Sequence, residues 1–121
     1  MNEIINKKVC NFHIRMAMDH IEKNYSEPLT LDDMAKYLNL NKCYFSDLFK
    51  RETGKTYSRF LNEFRIKKSK ILLENTNLSV LEVALAVGYN NQNYFNMIFK
   101  KLTNTTPLKY RNENFRKCIC F

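Results

Sequence analysis

Apolar residues recur along this chain three and four positions apart, the spacing of amphipathic helices. Ile14, Ala17, Ile21 and Tyr25 predict a helix over about Phe12 to Tyr25, with His13 and His20 on it. Phe45, Leu48 and Phe49 mark one later apolar face, and Phe95, Ile98 and Phe99 mark another. Between them Tyr57, Phe60, Leu61, Phe64, Ile71 and Leu72 predict a long helix, roughly Tyr57 to Glu74. Its other face carries Arg59, Arg65, Lys67, Lys68 and Lys70. Two glycines and two prolines in 121 residues suit helices with short connections. A β-sandwich, with a turn every ten residues or so, needs more of both.

The blocks form a repeat. Tyr44-Phe45-x-x-x-Phe49-Lys50-x-x-Thr53-Gly54-x-Thr56 returns fifty residues later as Tyr94-Phe95-x-x-x-Phe99-Lys100-x-x-Thr103-Asn104-x-Thr106. Upstream, Thr30-x-x-Asp33-x-Ala35 returns as Ser79-x-x-Glu82-x-Ala84, at a spacing of 49. The second copy therefore has one extra turn residue, Tyr89-Asn90-Asn91 against Leu40-Asn41. Ser79 and Glu82 make a capping box, and Thr30 and Asp33 its shorter-armed version. Each opens a helix of about two turns, Leu31–Leu38 and Val80–Val87. Ala35 and Ala84 fall mid-helix, where a small side chain admits a crossing helix. Asn39 and Gly88 follow, types that tolerate a left-handed turn. Asn41 and Asn91 serve as N-caps of the next helices, which Gly54 and Asn104 close as left-handed C-caps. Short helix, tight turn and second helix describe a helix-turn-helix, present twice. An α-solenoid would need at least about three copies to bury its faces.

Charge sharpens the reading. The net charge is +8, yet residues 1–54 balance at eight Lys/Arg against eight Asp/Glu, so the whole excess follows Gly54. A basic excess points to a polyanion, either nucleic acid or an anionic membrane surface. No apolar run approaches the ~18 residues of a membrane span. The opening residues, Met1 to Lys8, hold no apolar core of a secretory signal, so the expected compartment is the cytoplasm, where thiols stay reduced. Cys10 with His13, and Cys118 with Cys120, do not complete a zinc set, and neither a metal nor a cofactor is expected. Cys43 has no histidine beside it to activate a thiolate. A Gly-rich phosphate loop, H-E-x-x-H and G-x-S-x-G are all lacking, so no enzyme is expected.

The stretch Ala84-x-x-Val87-Gly88-Tyr89-x-x-x-x-Tyr94-Phe95-x-x-x-Phe99-Lys100-Lys101-x5-Thr106-Pro107-x-x-Tyr110-Arg111 resembles the signature of AraC/XylS-type transcriptional regulators. Leu38-x-Leu40-x-x-x-Tyr44-Phe45-Ser46-x-Leu48-Phe49-Lys50-x-Glu52-Thr53-Gly54 does so too. The resemblance runs from about residue 12 to residue 111, and the first motif most resembles output domains of YesN-like response regulators. It implies an all-α fold of about seven helices, a homeodomain-like pair of helix-turn-helix lobes joined by a long connector helix. Residues 1–54 would hold the N-terminal helix and first lobe, 55–75 the connector, and 76–121 the second lobe with a C-terminal helix. Asn104 stands where the family has Gly, Ser69 where it has Ala, and Asp47 puts an acid on a recognition helix.

The implied function is sequence-specific binding of double-stranded DNA in transcription regulation. Recognition helices of about 42–53 and 92–103 would read successive major grooves on one face. Base-contacting candidates are Lys42, Cys43, Ser46 and Asp47 in the first helix, and Gln92, Asn93, Asn96 and Met97 in the second. The amides suit adenine, Cys43 and Met97 a thymine methyl, and Asp47 the amino group of cytosine. Phosphate candidates are Lys50, Arg51, Lys100, Lys101, Lys109 and Arg111. The connector, about 27 Å long, approaches the ~34 Å pitch of B-DNA. The chain reads as the output half of a longer signal-responsive regulator, with RNA polymerase as a candidate partner. A stand-alone regulator and a basic helical protein-interaction module are the alternatives. The chain itself is expected to be monomeric, because its stripes are used internally and only Phe115, Ile119 and Phe121 are unplaced. Dimerisation would belong to a domain outside it.

Overall fold

The computed structural model describes residues 11–114. Cys10, Cys118 and Cys120, and the apolar Phe115, Ile119 and Phe121, lie outside them. Seven helices and no strand occur among the described residues: α1 (Phe12–Asn24), α2 (Leu31–Leu38), α3 (Lys42–Thr53), α4 (Tyr57–Asn75), α5 (Val80–Ala86), α6 (Gln92–Thr103) and α7 (Pro107–Asn114). The chain divides into two compact units, Met1–Leu61 and Asn62–Phe121, and α4 contributes residues to both.

Local chemistry sets the helix ends. In the first unit Thr30 Oγ1 accepts from Asp33 N at 3.0 Å, and Asp33 Oδ2 accepts from Thr30 N at 3.1 Å. Hydrogen bonds from Thr30 hold the Asp33 carboxyl below its ordinary value. Ser79 and Glu82 repeat the box at 3.0 and 2.8 Å in the second unit. Both short helices end in a Schellman turn: Leu40 N donates to Ala35 O and Tyr89 N to Ala84 O, each at 2.9 Å. The turn requires positive φ, met by Asn39 at 60° and Gly88 at 106°. α5 is one residue shorter than expected, because Val87 (φ −99°, ψ 6°) has already left the helix to enter this turn.

Asn41 Oδ1 accepts from Tyr44 N at 3.0 Å and Asn91 Oδ1 from Tyr94 N at 2.7 Å, starting α3 and α6. Thr53 and Thr103 finish those helices alike, each hydroxyl donating to the carbonyl four residues back, Phe49 (2.8 Å) or Phe99 (2.7 Å). Gly54 (φ 81°) and Asn104 (φ 65°) are the left-handed C-caps. A Cβ on Gly54 would meet nothing within 4 Å, so its substitution is opposed by backbone strain alone. Gly54→Ala should lower unfolding free energy in urea by about 1–2 kcal/mol, and Asn104→Gly should raise it by a fraction of that. Unchanged midpoints for both would show that these turns relax freely.

Within the first unit α2 packs on α3, and α1 on both, with Ile14, Ala17, Ile21, Met34, Ala35, Leu38, Phe45, Leu48 and Phe49 buried. Phe45, Phe49 and Tyr57 meet edge to face at 5.6–5.7 Å. His20 is a packing residue, half-buried and stacked on Tyr37 at 3.8 Å. In the second unit α6 packs on α5 and α7, over Val83, Ala84, Val87, Phe95, Ile98 and Phe99. Tyr89 is buried there, its hydroxyl donating to Asn62 Oδ1 at 2.8 Å. Burial pushes this phenol well above its ordinary value.

α4 departs from the expected stripe. Its buried positions are Tyr57, Leu61, Arg65, Ile66, Ser69 and Leu73, whereas Ile71 is exposed and Phe60, Phe64 and Leu72 are half-buried. The stripe follows a step of four, 57-61-65-69-73, and passes through two polar residues. Both are accommodated: Ser69 Oγ donates to Ile66 O at 2.6 Å, and the Arg65 guanidinium lies over the Tyr89 ring at 5.5 Å. Of the expected basic face, Arg59 and Lys67 are exposed. Lys68 and Lys70 are half-buried, with their ammonium groups over Phe64 and Tyr110.

Candidate nucleic-acid interface

The two helices that follow the tight turns present matching surfaces. The pattern of buried and exposed positions repeats residue for residue over 41–60 and 91–110. Phe45, Leu48 and Phe49 turn one side of α3 into its unit, as Phe95, Ile98 and Phe99 do for α6. At about 100° per residue, Cys43, Asp47 and Lys50 lie opposite that stripe, one turn apart. Asn93, Met97 and Lys100 are their counterparts on α6. All six are exposed, Met97 conspicuously at 56% for a large apolar side chain. Gln92, Arg51 and Lys101 are also exposed, as is Lys109 on α7.

Four expected residues are placed otherwise. Lys42 is exposed but its ammonium pairs with Asp32 of α2 at 3.4 Å. Ser46 is half-buried and lines a pocket of 250 Å³ with Leu29, Leu31, Tyr57 and Leu61. Asn96, at the position of Ser46 in the repeat, is half-buried, and its Oδ1 is buried with no partner among the described residues. A bidentate contact with adenine needs both amide atoms at the groove, and here one is turned inward. Arg111 is a structural tie: Nε donates to Leu73 O at 3.0 Å and Nη1 to Leu78 O at 2.5 Å, while Nη2 is buried. A carbonyl at the end of α4 and another in the loop before α5 hold its guanidinium against the unit.

Tyr44 and Tyr94 are surface residues that a reading of motifs passes over. They are 52% and 45% exposed in the first turns of α3 and α6. The signal was present in the repeat, since each precedes a buried Phe and so lies off the apolar stripe. Their phenols are suited to phosphate oxygens.

Two short helices, each followed across a tight turn by a helix with one buried and one polar face, define a tandem helix-turn-helix protein. Residues 34–113 match the model of the helix-turn-helix domain family. The chain is 38% identical over 105 residues to an uncharacterised HTH-type transcriptional regulator in the cgkA 5′ region of Pseudoalteromonas carrageenovora, covering 86% of this chain and 61% of that one. Among solved structures, the C-terminal domain of AraT, a response regulator from Geobacillus stearothermophilus, superposes with a TM-score of 0.83 at 36% identity. That match covers 85% of this chain and 86% of that one. The C-terminal domain of the two-component response regulator yesN from Fusobacterium nucleatum follows at 0.78 and 35%, covering 80% and 95%. The chain belongs to the AraC-type helix-turn-helix family of transcriptional regulators, a sequence-specific DNA-binding class. It spans 61% of the length of the Pseudoalteromonas relative and 35% and 36% of two further ones. No helix among the described residues is long and apolar enough to cross a membrane.

Proposed function

We propose that this domain reads double-stranded DNA with α3 and α6 in successive major-groove segments about 10 base pairs apart. It acts as the output half of a longer, signal-responsive regulator in the cytoplasm, without catalysis of its own. The observation that carries this reading is the exposed face repeated on two helices, Cys43-Asp47-Lys50 and Asn93-Met97-Lys100. Base contacts fall to these helices, with Gln92 and Asn93 suited to adenine and Met97 to a thymine methyl. Lys50, Arg51, Lys100, Lys101 and Lys109 grip phosphates, with Tyr44 and Tyr94 beside them. Residues 1–54 and 76–121 act as the two reading lobes and 55–75 as their connector. The domain works as a monomer, because each unit buries its own apolar stripes, and RNA polymerase is the protein partner that the regulator class suggests.

The test separates reading from grip. On an operator selected from a random duplex library, Gln92→Ala or Asn93→Ala should weaken binding by about 1–3 kcal/mol and leave random DNA almost unaffected. Lys100→Ala should weaken both alike and flatten the salt dependence. Operator preference unchanged by both amide substitutions would put α6 in the wrong register.

A further inference from the structure

We infer that Asp47 makes the first lobe a cytosine reader, a specificity that rests on the DNA-binding reading above. Asp47 sits mid-helix in the exposed face of α3, between Cys43 one turn before and Lys50 one turn after. The other three aspartates of this unit have local work: Asp19 pairs with Lys23 at 3.2 Å, Asp32 with Lys42 at 3.4 Å, and Asp33 closes a capping box. Asp47 makes no hydrogen bond or ion pair with the described residues, Lys50 and Arg51 included. Nor does it serve its helix. Aspartate is a weak helix former in the interior, and as the sixth residue it lies beyond the first turn, where a negative charge is favoured.

The carboxylate also opposes approach to a polyanion, and this unit has little attraction to spare. Residues 11–61 carry eight Lys/Arg against seven Asp/Glu, while residues 62–114 carry eight against four. α6 holds no acidic residue, and the counterpart of Asp47 there is Met97. The first lobe therefore needs a favourable base contact to offset the phosphate repulsion that its own recognition helix creates.

A carboxylate only accepts hydrogen bonds. The major groove offers it two donors, N4 of cytosine and N6 of adenine, whereas guanine and thymine present acceptors at the corresponding edge. Adenine sets its N7 acceptor beside N6, which repels the second carboxylate oxygen. Cytosine sets a C–H beside N4, which does not. Cytosine is thus the base that Asp47 accepts without a penalty, and guanine and thymine are rejected.

The experiment is selection of the intact chain on a random duplex library, followed by affinities for all four base pairs at each selected position. Wild type, Asp47→Asn and Asp47→Ala are compared. Wild type should prefer cytosine at one position in the first half-site by about tenfold over guanine or thymine. Asp47→Asn should move that preference to adenine, since an amide donates to N7 and accepts from N6. Asp47→Ala should level the position and raise affinity for non-operator DNA severalfold. Failure of wild type to select any sequence would remove the DNA-binding reading itself. If wild type selects an operator and both variants keep every base preference, Asp47 is a solvated surface acid and the inference is overturned. An adenine preference in wild type overturns the choice of cytosine.

Discussion

Five base pairs inserted between the two half-sites of a selected operator should weaken binding by about two to three orders of magnitude. Half a helical turn of DNA carries one half-site to the opposite side of the duplex. In the reading proposed above, residues 55–75 are a connector without the slack to follow it. Tyr57–Asn75 is a single helix of 19 residues, about 28 Å long, entered from α3 by the three-residue link Gly54–Thr56. Its hydrogen bonds would have to break for the chain between the lobes to lengthen. The gain from binding both half-sites at once is then lost, and the remaining affinity is that of one lobe. Inserting ten base pairs restores the face but adds about 34 Å, so it should not rescue binding. Affinity for the five-base-pair insertion within about threefold of the parent would mean that the lobes bind as independent modules on a compliant link.

What the sequence shows and what it hides divide along a physical line. Helix ends are legible because their chemistry is local: Thr30 with Asp33, Ser79 with Glu82, Asn41 with Tyr44 and Gly54 with Lys50 all act within four residues. The repeat makes each of them visible twice. Side-chain direction within the tertiary structure is a different matter. Arg65 and Ser69 look solvent-facing by type, yet they lie on the buried stripe of α4, because ring stacking and a back-bond to Ile66 satisfy them. Ile71 looks like core by type and is 48% exposed. The same limit applies to the interface. Cys43, Asp47, Asn93 and Met97 are exposed as helical spacing requires, but Ser46 and Asn96, 100° further round from the buried Phe, turn toward the interior of their units. No count along the sequence resolves that 100°, since it depends on what the neighbouring helices leave open.

Arg111 shows the difference in consequence. As a phosphate contact it would matter for affinity and not for folding; as a tie within its unit it matters for folding first. Arg111→Met should lower the stability of the second unit by about 3 kcal/mol, because the carbonyls of Leu73 and Leu78 lose a charged donor and the apolar chain cannot replace it. The first unit solves the same problem differently. There Tyr57 Oη donates at 2.9 Å to the carbonyl of Leu29, the counterpart of Leu78 in the repeat. Its position in the second unit is Pro107, which has no such group, so the tie passes to Arg111 one turn further along α7. Tyr110 beside it donates to Glu74, and burial together with this bond pushes its phenol up to about 12. The pair thus fastens α7 to the end of α4 by two neighbouring side chains. Lys109→Ala is the control, since Lys109 is exposed and makes no such tie: it should leave stability within about 0.5 kcal/mol and reduce affinity for any duplex. Urea unfolding of both variants, with DNA titrations under conditions where each is folded, checks the assignment. A stable Arg111→Met that loses affinity as Lys109→Ala does would return Arg111 to the phosphate contacts.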